Sequence, residues 1–395
     1  MVHQTMNSSS PSAAKASSRI TPIASISKCT AAAILGVLAA CSTAPPPQAP
    51  STPKVSAPAA EPARPREQQQ RERARWIAVD WSELPGWGED RAAELWPALR
   101  AGCARPAPGW AELCAKALLM SGPADDQEAL LWLMQHLRPW RIESLDGEAQ
   151  GLLTGYFEPE LIARRQPQAG FQVPVLAAPP DLNQRRPYYT RRQIDSEPLK
   201  SRMRALVYIE DPIDLQVLQL QGSGRVRVDD EDGGRPRWLR MAFAGHNEQP
   251  LQPLGPALAA MGEWKDGPAA PRAAVRDWAR RNPARLNELL WSNPRYVFFR
   301  EEPLSDLGMG PRGAQGVPLT PGRSIAVDKA SIPYGTPVWL DAGAPLRRLA
   351  MAQDSGSAIV GAVRADFFWG WGAEAEAQAL RTKQPLRLWA LWPRP

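Results

Sequence analysis

Beyond Leu152 the chain is a succession of short apolar segments separated by glycine and proline. Punctuation of this kind favours strands over long helices. Many short strands with turn residues between them favour a barrel or a sandwich. The segments that read as strands are Leu152–Phe157, Val173–Leu176, Ala205–Ile209, Leu215–Gln221, Arg225–Val228, Trp238–Phe243, Tyr296–Arg300, Ser324–Val327, Pro337–Leu340, Arg348–Gln353 and Leu386–Leu391. A helical interruption over roughly 270–293 separates two strand-rich groups. Ahead of them, 89–101, 110–120 and 125–137 carry apolar residues at helical spacing, as in Ala92, Leu95, Trp96 and Leu99. The expected class is mainly β, with two β units and peripheral helices. No repeat of fixed period is present.

The N-terminus reads as a targeting segment. Lys15, Arg19 and Lys28 give a positive leader, and Thr30 to Ala40 is a short apolar run. Some ten apolar residues do not span a hydrocarbon core, which needs about twenty. A signal peptide over 1–40 fits better. The run ends in Leu38-Ala39-Ala40-Cys41-Ser42, which resembles the lipobox of bacterial lipoproteins. The resemblance implies an acylated Cys41 and sorting to the periplasmic face of the outer membrane. An ordinary cleaved signal with a chance cysteine is the alternative. Residues 41–74 are rich in Pro, Ala, Ser and Gln and read as a disordered tether.

Two cysteines remain beyond the leader and anchor. Cys103 and Cys114 pair in an oxidising periplasm, or stand as two buried thiols. His136 and His246 have no metal-ligand spacing, and neither a metal nor a cofactor is expected. The net charge of +6 is spread along the chain. It suits acidic wall polymers, an anionic membrane surface or nucleic acid. No zinc-finger, helix-turn-helix or RNA-binding pattern appears, so nucleic acid is not an expected partner.

Three acids stand out. Asp328, Asp354 and Asp366 each end or follow an apolar run near glycine or proline. Phe367-Phe368-Trp369 adjoins the last. Carboxylates at strand ends beside stacking rings are what a carbohydrate-cleaving groove needs.

The context of these acids is specific. Ala326-Val327-Asp328 precedes Ile332-Pro333-Tyr334-Gly335-Thr336. Then come Asp354-Ser355-Gly356-Ser357-Ala358-Ile359-Val360-Gly361 and Asp366. This resembles the three-aspartate module of peptidoglycan-active proteins. Leu153-Thr154-Gly155-Tyr156-Phe157-Glu158-Pro159, Leu220-Gln221-Gly222-Ser223-Gly224-Arg225 and Asn293-Pro294-Arg295-Tyr296-Val297-Phe298-Phe299-Arg300 add further matches. Together, over roughly 75–395, they resemble the membrane-bound lytic murein transglycosylase A family. The resemblance implies a double-psi β-barrel domain from 75–159 and 286–395, with a smaller β-barrel domain, 160–285, inserted in it. Peptidoglycan glycan strands would lie in the groove between them. Other cell-wall enzymes are candidate partners. The implied reaction cuts the β-1,4 bond between N-acetylmuramic acid and N-acetylglucosamine and leaves a 1,6-anhydromuramic end.

Hydrolytic glycosidases use two carboxylates. Here the nucleophile, the muramyl 6-hydroxyl, is already attached to the sugar, so one carboxyl suffices as acid and then base. Its pKa must be raised by burial or a like charge. By resemblance Asp366 is that acid/base, the alternative being a structural turn cap. Asp354 either orients or tunes it, or holds its own loop amides. Asp328 reads as a scaffold bracing the other two. Thr154, Tyr156, Gln221, Ser223 and Trp369 are implied substrate-binding residues, with strand and turn structure as the alternative. Arg364, two residues before Asp366, shares its face in a strand and opposes a raised pKa. Two departures stand out: the family usually has Gly after His246-Asn247, where this chain has Glu248, and Lys where it has Val360. Competing readings are a non-catalytic, expansin-like wall-binding protein and a true hydrolase.

Overall fold

The computed structural model describes residues 66–229 and 236–394. The expected leader, the Cys41 anchor and all but the end of the tether lie outside the described residues. Strands β1 (Gln68–Gln70), β2 (Arg75–Ala78) and β3 (Leu137–Glu143) open the chain. Then come β4 (Gly151–Glu158), β5 (Glu160–Ala163), β6 (Val173–Leu176), β7 (Ala205–Ile209), β8 (Gly224–Val228), β9 (Arg237–His246) and β10 (Val297–Pro303). The C-terminal strands are β11 (Ser324–Val327), β12 (Pro337–Asp341), β13 (Arg347–Asp354), β14 (Arg364–Trp371) and β15 (Lys383–Pro393). The helices are α1 (Trp96–Cys103), α2 (Ala111–Leu119), α3 (Asp126–His136), α4 (Arg191–Ile194), α5 (Pro212–Gln221), α6 (Leu254–Ala260), α7 (Arg272–Arg281), α8 (Leu286–Trp291) and α9 (Gly372–Arg381). The protein is therefore mainly β with peripheral helices. Strand β1 lies inside the segment whose composition reads as tether. Its three glutamines pair with Arg75–Ile77, which satisfies their backbone groups in a ladder.

The large sheet runs β1-β2-β3-β15-β12-β13-β11-β14-β4, and β4 also pairs with β15. That extra pairing closes β15-β12-β13-β11-β14-β4 into a ring of six strands. Period-2 alternation then divides β12, β13 and β15 between two cores. Val338 and Leu340, Ala350 and Ala352, and Leu388 and Ala390 fill one cluster. Trp339, Leu349, Met351, Trp389 and Leu391 point the other way, into a cluster built with α1–α3. Burial on both faces explains why these segments read as unbroken apolar runs. A four-stranded sheet, β10-β9-β8-β5, and a two-stranded one, β6-β7, share a third cluster. A disulfide joins Cys103 at the end of α1 to Cys114 in α2.

One expected strand is a helix. Residues Leu215–Gln221 belong to α5. Pro212 sits in its first turn, Asp211 accepts a hydrogen bond from Ile213 N, and Gly222 closes it at φ 82°. Ile213, Leu215, Val217 and Leu218 are buried, so the segment has no polar face to betray a 3.6-residue period. The Asp-Pro start and glycine stop are the signals that decide it. Strands β1, β2, β3, β5 and β14 and helices α4, α6 and α9 lie outside the expected set.

A buried charge network joins the two main sheets. Glu158, at the end of β4, accepts from Arg225 Nε of β8 at 2.9 Å and Arg240 Nε of β9 at 2.7 Å. Arg225 and Arg240 also donate to Met309 O. The Arg225 guanidinium stacks on the Trp371 ring of β14, 3.5 Å from its centroid. Removing the one acid strands two buried guanidinium groups. Glu158→Ala is expected to lower the unfolding free energy by about 3–5 kcal/mol in urea titration. A loss below about 1 kcal/mol overturns the assignment of this network as the junction.

Candidate active site

Strand pairing brings the acids together from distant positions. Asp366 of β14 is the register partner of Thr154 in the parallel strand β4 and of Ala326 in the antiparallel strand β11. Ala326 also partners Asp354, the last residue of β13. A methyl group between two carboxylate-bearing positions lets both acids occupy one face. Tyr156 follows Thr154 by two residues, and Phe368 follows Asp366 by two, so both lie on that face. Their rings sit 5.2 Å apart. The alternate residues Leu153, Ala365 and Phe367 enter the core.

Trp369 goes with the alternate set. It packs on Phe367 at 4.9 Å and donates Nε1 to Thr382 Oγ1 at 2.9 Å. It faces away from Asp366 and does not line the cleft, because odd and even residues of a strand leave on opposite sides. Gly155 accommodates this packing. A Cβ there would come within 2.9 Å of Trp369, Ala379 and Thr382, which only a side-chain-free residue avoids.

Asp366 and Asp354 differ in how their oxygens are held. Thr154 Oγ1 donates to Asp366 Oδ1 at 2.5 Å. Among the described residues no donor reaches Oδ2. Arg364 lies on the same face, yet its guanidinium bonds Thr154 Oγ1, Leu152 O and Ala365 O rather than the carboxylate. Burial pushes the Asp366 carboxyl up, against the pull of Thr154 and Arg364. Asp354 has both oxygens occupied: Ala314 N donates to Oδ1 and Tyr156 Oη to Oδ2, each at 2.9 Å. Burial nevertheless pushes Asp354 up to about 6, and the Asp366 charge adds to it. Tyr156 is driven well above its usual value by burial and by the two acids, so it remains a donor.

Asp328 stands apart. It accepts from Ala330 N at 3.0 Å, Gly361 N at 2.9 Å and Arg73 Nη1 at 3.2 Å. These bonds fasten the loop that runs from Asp354 to β14. Gln221 Oε1 accepts from Phe157 N at 3.0 Å, which ties the end of α5 to β4.

A cleft of about 940 Å³ runs between the six-stranded ring and the four-stranded sheet. Tyr156, Phe368 and Asp354 line it on one side, and Phe243, His246 and Arg300 on the other. Gln221 and Ser223 also face it. Its size is at the upper end of small-molecule sites, about 300–1,000 Å³. Sequence reasoning missed Phe243, Ala314 and the cleft role of His246. The His246 ring is held below its usual pKa by burial and by Arg295, and its Nδ1 accepts from Glu248 N at 2.9 Å. Glu248, where the family usually has Gly, adopts φ 58°, the left-handed region that glycine favours. The departure therefore keeps a glycine-like backbone. Among the described residues no group of acids, histidines or cysteines could hold a metal ion.

Comparison with known proteins bears on the family and the fold. Residues 152–300 match a family model described as the MltA specific insert domain, and 323–392 one described as the 3D domain. Membrane-bound lytic murein transglycosylase A of Vibrio cholerae is 30% identical over 303 residues, 69% of this chain and 79% of that protein. The crystal structure of MltA from Neisseria gonorrhoeae superposes with a TM-score of 0.70 at 30% identity, over 82% of this chain and 95% of that one. Escherichia coli MltA with bound chitohexaose gives 0.61 at 25% identity, over 78% and 91%.

Asp354 also makes stability depend on pH. Its folded pKa of about 6 exceeds the unfolded value of about 3.9, so its contribution is full below pH 4 and is lost as pH rises through 6. The expected fall in unfolding free energy between pH 4 and pH 7 is at most about 3 kcal/mol. It should shrink in Asp354→Asn, measured by urea titration at each pH. An identical slope in the variant rules out Asp354 as the source.

Proposed function

The chain belongs to the membrane-bound lytic murein transglycosylase A family, and from that premise we propose the reaction and the acid that drives it. The protein is a peptidoglycan lytic transglycosylase, a lyase acting on the glycan strand. It breaks the bond from the muramyl anomeric carbon to the next N-acetylglucosamine. The muramyl 6-hydroxyl closes on the same carbon, so a 1,6-anhydro ring forms and no water is consumed. The chitohexaose held by the E. coli relative supports a saccharide in the cleft.

The observation that carries the assignment is the unequal hydrogen bonding of the two acids. Three donors, Tyr156 Oη, Ala314 N and Ser355 N, favour the anion at Asp354. Among the described residues Asp366 has one donor and one oxygen without a protein partner, so that oxygen is the one able to reach the glycosidic oxygen, and burial favours its protonated form. In the forward step that proton goes to the leaving glycosidic oxygen. The resulting carboxylate then takes the proton of the 6-hydroxyl, which restores the acid. The Asp354 carboxylate, ionised above about pH 6, stabilises positive charge developing at the anomeric carbon. Thr154 positions Asp366, and Tyr156 positions Asp354. Gln221 and Ser223 offer polar groups to the glycan, while Trp369 supports β14 from behind.

The finer architecture follows the same reading. We take the six-stranded ring as a double-psi barrel made by 75–159 and the C-terminal part of the chain; the opposite wall is the inserted domain from 160, and the expected boundary at 285 moves past β10, which pairs with β9 in that wall. Among the described residues no helix is long and apolar enough to cross a membrane. Separately, the lipobox-like Leu38-Ala39-Ala40-Cys41 supports membrane attachment through acylation of Cys41 at the outer membrane.

Asp366→Asn is expected to lose on the order of 10²–10⁴-fold in turnover while staying folded. Mass spectrometry of digested peptidoglycan should show anhydro-muropeptides with the wild type. Reducing ends instead would establish a hydrolase, and no products a binding protein. Cys41→Ala should leave the protein unacylated in a radiolabelled-lipid assay; persistent labelling refutes the anchor.

A further inference from the structure

The cleft has a side chamber. A cavity of about 260 Å³ adjoins it and shares Gln219, Leu220, Leu251, Arg295 and Val297 with the cleft wall. Its remaining lining is largely apolar, with Ile213, Val217, Leu254, Val275 and Leu380. It is smaller than typical small-molecule sites of about 300–1,000 Å³, so it suits a short branch and not a sugar chain.

Arg295 stands at the shared wall. Its Nε donates to Gln249 O at 2.8 Å and its Nη1 to Ser357 Oγ at 2.9 Å. Among the described residues no carboxylate pairs with it. By contrast Arg300 pairs with Glu302, and Arg272, which also lines the chamber, pairs with Glu376. Arg295 is half-buried, and burial pulls its pKa down, the mark of a cation without compensation. Such a charge favours a ligand carboxylate, which forms strong charge-assisted bonds with a guanidinium. Ser357 lies in the loop that follows Asp354, so the cation is held beside the reacting acids.

Resting on the transglycosylase reading, we infer that this chamber is a subsite for the acidic peptide branch carried by the lactyl group of muramic acid. Arg295 takes a carboxylate of the branch, and the apolar walls take its first aliphatic side chain. A strand bearing branches is then a better substrate than a bare one.

The test compares kcat/KM of the full-length protein on purified glycan strands with their peptides and on the same strands stripped by an amidase. Leu254→Trp fills the chamber from a position that does not line the cleft. It is expected to lower kcat/KM on peptide-bearing strands about tenfold and to leave stripped strands within about twofold. Arg295→Gln should give the same selective loss, with Arg295→Lys retaining part of the activity because the charge remains. Stripped strands still carry the lactyl carboxylate. If Arg295→Gln falls equally on both substrates, the guanidinium reads that group or only holds the loop, and the branch subsite is wrong. An unchanged Leu254→Trp also overturns it. A wild type that cleaves neither substrate refutes the transglycosylase reading itself, which the other outcomes leave standing.

Discussion

The parallel pairing of β4 with β14 is the contact on which the rest depends. It joins residues more than 200 positions apart, as in the bond from Thr154 to Asp366. A parallel pair of this kind has no hairpin to form it, so loop closure over the intervening chain must be offset by packing. The offset comes from both ends. Leu153, Ala365 and Phe367 bury into the ring interior, and Glu158 anchors Arg225 and Arg240 where β4 leaves the ring. The same pairing lifts Thr154, Tyr156, Asp366 and Phe368 onto one face. The site is thus a by-product of closing the ring.

Electrostatics then separate acids that look alike in the chain. Burial raises both Asp354 and Asp366, but their hydrogen bonds differ. Donors occupy both Asp354 oxygens, while among the described residues one Asp366 oxygen has no protein donor. Arg364 lies on the same face and pulls the Asp366 pKa down, but burial outweighs it, and its guanidinium is engaged by Thr154 and two carbonyls. Asp328 answers two loop amides and Arg73, and so acts on the loop between the other two acids.

Much of the fold was legible because strand and turn chemistry are local. The four-residue runs Val173–Leu176 and Ser324–Val327 stand as strands with the bounds read from their punctuation. Leu215–Gln221 misled because five consecutive residues, Leu215 to Gln219, are buried and hide the helical period, although its Asp-Pro start and glycine stop were visible. Helix α9, rich in alanine and glutamate, carried strong helix formers that the aromatic cluster before it overshadowed. Trp369 misled for a different reason. Its distance from Asp366 is odd, and a strand sends odd and even residues to opposite faces.

By itself the sequence determined the residue types at the site, the short strands and the pattern of motifs that marks the family. These follow from local preference and from chemistry written into single positions. Only the tertiary structure decided which acids meet, which oxygen is left open, and that Arg295 faces an apolar chamber with no carboxylate partner among the described residues. Those outcomes depend on register between strands distant in the chain and on burial, and neither quantity exists until the ring has closed.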